Sequence, residues 1–185
     1  MTDYYALLAI PRTLSLSLDS LQQRYYELSR QLHPDRFMTK PEAERERALE
    51  MSSALNDAYR TLKDPVKRAQ YVLSQEGFDI GEQRSKDVPP ELLEEVFELN
   101  MALEEMRGGD ESARPQLEQA EKNFVAMLAD SDTELGSLFD AYDGTRSADV
   151  LPKVRAVLNR RKYIQNLVDE VRKTLTGNPQ SLIPS

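Results

Sequence analysis

The stretch Leu28-Ser29-Arg30-Gln31-Leu32-His33-Pro34-Asp35-Arg36-Phe37 decides the fold, because an amphipathic pattern runs into it and stops there. Upstream, Leu18, Leu21, Tyr25, Leu28 and Leu32 recur at steps of three, four, three and four, which lays one apolar stripe along a helix. Ser17 stands where a cap belongs. Pro34 has no backbone N–H and biases the residue before it away from helical angles, so the helix is expected to end near His33 and leave Asp35 on an exposed bend. Taken alone, the tripeptide only closes a helix, since histidine suits the last carbonyls and aspartate suits turns. What lies on either side has to decide whether the corner does more.

Composition narrows the choices. The chain has 185 residues, enough for one domain or two small ones. It has no cysteine and one histidine, which excludes disulfides, thiolate metal sites and cysteine nucleophiles and puts a conventional His/Cys metal site out of reach. No metal and no cofactor are therefore expected. No run approaches the length of a membrane span and the opening residues lack a basic-then-apolar leader, so a cytoplasmic protein without membrane attachment is expected.

Charge is unevenly spread. Residues 1–76 carry eleven basic and eleven acidic side chains; residues 77–143 carry five and eighteen; residues 144–185 carry eight and three. The acidic and basic blocks are expected to attract each other on folding. The net charge of −8 argues against nucleic acid, which calls for a basic footprint.

Taken in order, the pattern predicts a short helix around Tyr4 to Leu8, a turn at Pro11, and then the helix that ends at His33. A further helix is expected from Pro41 to about Lys63, with Ala48, Met51, Leu55, Ala58 and Leu62 facing the earlier stripe in an antiparallel hairpin. The corner residues sit at its tip. Asp64-Pro65 reads as a cap and first helical position, and the helix that follows runs to about Glu76 and stops at Gly77. Residues 77–88 are polar and aperiodic and read as a link, with Phe78 and Ile80 as possible tethers. Residues 89–176 read as an antiparallel three-helix bundle: 91–106, 112–142 and 147–175, broken at Gly108-Gly109 and before Ser147. Residues 177–185 read as a loose tail. The expected fold is all-α.

Helix 91–106 is more apolar than a bundle seam requires. Leu92, Val96, Leu99, Leu103 and Met106 form one stripe, and Leu93, Phe97 and Met101 form a second, displaced by about a quarter turn or more. The second stripe either widens the core face or lies open, rimmed by Glu94, Glu98 and Glu104, as a helix that docks another protein would. Tyr163 falls at the margin of the last helix's core stripe, where it could extend such a patch.

Three motifs in order, Asp3-Tyr4-Tyr5-Ala6-Leu7-Leu8, His33-Pro34-Asp35 and Asn56-Asp57-Ala58-Tyr59-Arg60-Thr61-Leu62, resemble the J domain, by which J-type co-chaperones stimulate ATP hydrolysis by DnaK-type chaperones. Residues 1–76 would be that domain. Further on, Lys67-Arg68-Ala69-Gln70-Tyr71-Val72-Leu73-Ser74, then Gly77-Phe78-Asp79-Ile80 and a Leu- and Glu-rich helix resemble the HscB family of co-chaperones of iron–sulfur cluster assembly.

The resemblance implies two partners, the chaperone HscA and the cluster scaffold protein IscU. It places His33, Pro34, Asp35, Arg24, Arg30 and Arg36 at the chaperone, and Leu93, Phe97, Glu98 and Tyr163 at the scaffold; Met101, where relatives can carry a charged residue, joins the scaffold set through its place in the second stripe. The cysteine-bearing extension of some eukaryotic relatives and the Gly/Phe-rich linker of general J proteins have no counterpart in the sequence, which points to the bacterial type. A J protein serving another client and a passive helical scaffold are the alternatives. An enzyme using His33 and Asp35 as an acid–base pair is disfavoured, because no nucleophile, phosphate loop or metal cluster accompanies them.

Overall fold

The computed structural model describes residues 2–78 and 88–177, so residues 79–87 of the expected link, Ile80 included, and residues 178–185 of the expected tail lie outside the described residues. The fold is all-α: seven α-helices with short 3-10 turns and no strand among the described residues. By contacts the chain forms two compact units, Met1–Ile80 with Leu138–Leu151, and Gly81–Ser137 with Pro152–Ser185.

In the first unit, α1 (Tyr4–Leu8) is held by Asp3, whose carboxylate accepts from the N–H groups of Tyr5 and Ala6 at 2.9 and 3.4 Å. Helix α2 (Leu18–Gln31) starts under the Ser17 hydroxyl, which accepts from Ser20 N–H at 3.3 Å. Helix α3 (Glu42–Lys63) follows Pro41 and packs on α1, α2 and α4. Asp64 caps α4 (Pro65–Gln75) through Val66 and Lys67 N–H, with Pro65 at the first position, where its missing donor costs nothing. Gly77, at φ +80°, turns the chain after it.

Tyr5, Leu8, Leu14, Leu21, Leu55, Leu62, Val72 and Leu73 are buried. Each large apolar side chain of this kind contributes about 1.5–3 kcal/mol on leaving water. Arg68 is buried with them, and its guanidinium donates to the carbonyls of Leu14 (2.7 Å) and Leu62 (2.6 Å). Burial lowers its pKa, while the neighbouring Tyr5, Asp64 and Asp143 oppose that shift.

Two residues depart from the expected stripes. Leu18 is 54% exposed and Met51 47% exposed, although both have the right helical angle. Angle sets the direction in which a side chain points, but burial also needs a partner at that height. Leu18 is the first residue of α2.

In the second unit, Pro90–Leu92 makes a 3-10 turn into α5 (Leu93–Arg107). Another, Glu111–Ala113, opens α6 (Arg114–Thr145), which from Leu138 onward belongs to the first unit, as does the Ala148–Val150 turn that opens α7 (Leu151–Leu175). The core joins Leu92, Val96, Leu99, Leu103, Leu117, Phe124, Ile164, Val168 and Val171. The acidic and basic blocks meet as anticipated: Arg161 pairs with Asp132 at 2.6 Å, Arg172 with Glu121 at 2.5 Å, and Arg160 with Glu134, while Arg107 and Glu170, at 2.7 Å, pair in the opposite sense. Exposed pairs of this kind contribute little each, and chiefly fix which helix faces lie together.

Candidate partner-binding sites

The first unit presents a corner. His33 is the residue before a 3-10 turn, Pro34–Phe37, and its Nδ1 accepts the Asp35 backbone N–H at 3.3 Å. Asp35 Oδ2 lies 3.5 Å from the same nitrogen. By accepting the Asp35 amide, the imidazole helps to shape the turn. The carboxylate of Asp35 is 78% exposed and points its charge at whatever approaches.

The arginines differ in freedom. Arg24 Nε donates to Leu8 O at 3.1 Å and its Nη1 pairs with Glu27 at 3.0 Å, which ties it into the α1–α2 packing. Arg30 Nε donates to Tyr26 O at 3.3 Å, and the backbone N–H of Arg36 donates to His33 O at 2.9 Å within the turn. Sequence reasoning missed Tyr26 and Ser29, which line a shallow groove with Arg30 and His33. An exposed aromatic on a helix that also carries a core stripe was the available signal.

The stretch between α1 and α2 is held by a distant segment of the same unit. Asp143 accepts the N–H groups of Leu14 and Ser15, each at 2.8 Å, Asp140 accepts the Ser15 hydroxyl, and Arg146 donates to Arg12 O. Partners more than 120 residues apart leave no periodic mark in a sequence.

The second unit presents a greasy flank. Leu92, Val96, Leu99 and Leu103 are no more than 5% exposed, whereas Leu93, Phe97 and Met101 are 56%, 66% and 50% exposed. The second stripe of α5 therefore does not widen the core; it lies open. Glu94, Glu98 and Glu104 are exposed around it. Tyr163 is half-buried against the bundle core, where burial first and the Glu170 carboxylate second raise its pKa.

No cluster of three or more His, Cys, Asp or Glu side chains able to hold a metal occurs among the described residues. Nor is any helix among them long and apolar enough to cross a membrane.

A DnaJ domain model matches residues 3–71, and a model described as the HSCB C-terminal oligomerisation domain matches residues 88–172. The chain is similar to the chaperone HscB from Vibrio cholerae, with 26% identity and a TM-score of 0.64 over 95% of this chain and 99% of that one. It is also similar to the human co-chaperone protein HscB, with 26% identity and a TM-score of 0.70 over 97% of this chain and 84% of that one.

A J domain joined to an all-helical second region defines a specialised J-type co-chaperone. The chain belongs to the HscB family, the J-domain co-chaperones of iron–sulfur cluster assembly. Membership implies an Hsp70-type chaperone partner and an iron–sulfur scaffold client.

Proposed function

We propose that this chain stimulates the ATPase of the chaperone HscA and delivers the scaffold protein IscU to it, with no bond-making chemistry of its own, in the cytoplasm. Residues 1–76 act as the chaperone module, 77–88 as the link and 89–176 as the client module. His33, Pro34 and Asp35 form the chaperone contact, with Arg24, Arg30 and Arg36 meeting an acidic surface. Leu93, Phe97, Glu98, Met101 and Tyr163 hold the scaffold. The observation that carries the reading is the open stripe of Leu93, Phe97 and Met101 on a helix whose other face is sealed in a core. Soluble chains seldom keep such a patch without a partner for it.

The mechanism follows from binding energetics. The Asp35 carboxylate meets a basic group on the ATP-bound chaperone, and charge pairs of this kind set encounter rate and orientation. Docking that favours the hydrolysis-competent state over the resting state shifts the chaperone's population toward hydrolysis. Holding IscU on the same chain raises its effective concentration at that chaperone. Single-turnover ATP hydrolysis by HscA tests the first half: the chain accelerates it, and His33→Gln or Asp35→Ala abolishes most of the acceleration. Full acceleration by both variants overturns the reading. Substituting unrelated polypeptides for IscU in a binding assay separates a scaffold client from any other.

A further inference from the structure

With no cysteine in the chain, methionine is its oxidisable sulfur. Met106 and Met127 are packed against the bundle core, while Met38 and Met51 are exposed on the first unit. Met101 differs from all four. It is half exposed and stands one turn beyond Phe97 in the open stripe of α5, so its thioether is reachable by a small oxidant and also forms part of the surface a client would cover.

We propose that Met101 is a reversible modification site, at which oxidation by a peroxide weakens client binding. The inference rests on the client-binding reading of that stripe. In the step, a lone pair on the sulfur attacks one oxygen of hydrogen peroxide. The S–O bond forms as the O–O bond breaks, and the departing oxygen takes the remaining protons and leaves as water. Sulfur loses two electrons and the peroxide gains them, giving methionine sulfoxide. An apolar, flexible group becomes a polar one with a strong acceptor oxygen.

The neighbouring rim makes that oxygen hard to satisfy. Glu98 and Glu104, three residues to either side, bring carboxylate oxygens, which are acceptors rather than donors. A client surface that fits Leu93, Phe97 and a thioether meets an unpaired acceptor instead, and affinity falls about tenfold. A methionine sulfoxide reductase restores the thioether and the binding.

The experiment treats the full chain with hydrogen peroxide, locates sulfoxides by peptide mass mapping, and measures affinity for purified IscU by calorimetry. Met101→Leu and a Met38→Leu/Met51→Leu variant are treated alongside, and every sample is compared with its own untreated form. The expected result is an early sulfoxide at Met101 ahead of Met106 and Met127. With it comes about a tenfold loss of affinity in the wild type and in Met38→Leu/Met51→Leu, little change in Met101→Leu, and recovery after reductase treatment. The inference is overturned if Met101 oxidises with affinity unchanged, if Met101→Leu loses as much as wild type, or if Met101 stays reduced while Met106 oxidises. Untreated wild type that fails to bind IscU, or binds it equally well as Leu93→Ser/Phe97→Ser, defeats the underlying client reading, and this inference falls with it.

Discussion

The phenol ring of Tyr25 on α2 lies flat against that of Tyr59 on α3, with centroids 4.2 Å apart and planes 14° from parallel. Tyr25 Oη also donates to Asn56 Oδ1 at 2.7 Å, and Lys63 Nζ sits 5.5 Å from the Tyr59 ring centroid. The stack clasps the two long helices about two turns below the His33 corner, so the corner is presented by a braced hairpin. Tyr59→Ala removes the aromatic pair and part of the buried surface and should cost about 2 kcal/mol. A lowered urea midpoint checks this, and a midpoint equal to wild type would show that the stack is incidental.

The Asp143 carboxylate serves two backbone donors at once, Leu14 N–H and Ser15 N–H. In Asp143→Ala both lose their acceptor, at a cost of about 1–3 kcal/mol. Amide hydrogen exchange should show faster exchange at residues 14 and 15. Unchanged exchange there would mean that the carboxylate is dispensable.

Burial pushes the Tyr5 hydroxyl well above its ordinary pKa of 10.0, against the lowering influence of Arg68 and Arg12, and its proton is committed to Thr13 O at 2.6 Å. A folded-state pKa above the unfolded one means that the native state keeps a proton the unfolded chain releases at high pH. This contribution is intact below about pH 10 and drains away as pH rises from there toward the folded value. Tyr5→Phe should be less stable by about 1 kcal/mol at neutral pH and show a flatter decline above pH 10. Parallel stability curves for the two proteins would refute that account.

Because Leu93 and Phe97 are open, Leu93→Ser/Phe97→Ser should leave the thermal midpoint nearly unchanged, as surface substitutions generally do. Leu99→Ala, cut from the sealed face of the same helix, should cost about 2–5 kcal/mol. A melting scan of both distinguishes the faces. If the double serine variant melts as early as Leu99→Ala, the stripe is part of the core.

Much of this molecule could be read from its residues because helices announce themselves locally. Ser17, Asp64-Pro65 and Gly77 mark helix ends through groups within four positions, and the two stripes of α5 follow from angle alone. Burial is less local. Leu18 and Met51 have core angles and lie exposed, whereas Leu14, in a connection with no periodicity, is fully buried because Arg68, 54 positions on, binds its carbonyl and Asp143 its amide. The grouping of Leu138–Leu151 with the first unit is of the same kind. At the candidate sites, spacing picked out the Leu93 stripe, whereas the His33 corner stood out only through the resemblance of its three motifs to a J domain. The engagement of Arg24 with Leu8 and Glu27 and the groove beside Tyr26 depend on how helices meet, which no single helix records.

The most direct test of the adaptor mechanism asks whether both contacts must reside on one chain. ATP turnover by HscA is measured at limiting IscU with wild type, with Asp35→Ala, with Leu93→Ser/Phe97→Ser, and with an equal mixture of the two variants. A chain that couples client to chaperone predicts strong stimulation by wild type, weak stimulation by each variant, and no recovery in the mixture. Recovery to the wild-type rate in the mixture would contradict it, since the two surfaces would then act without being joined.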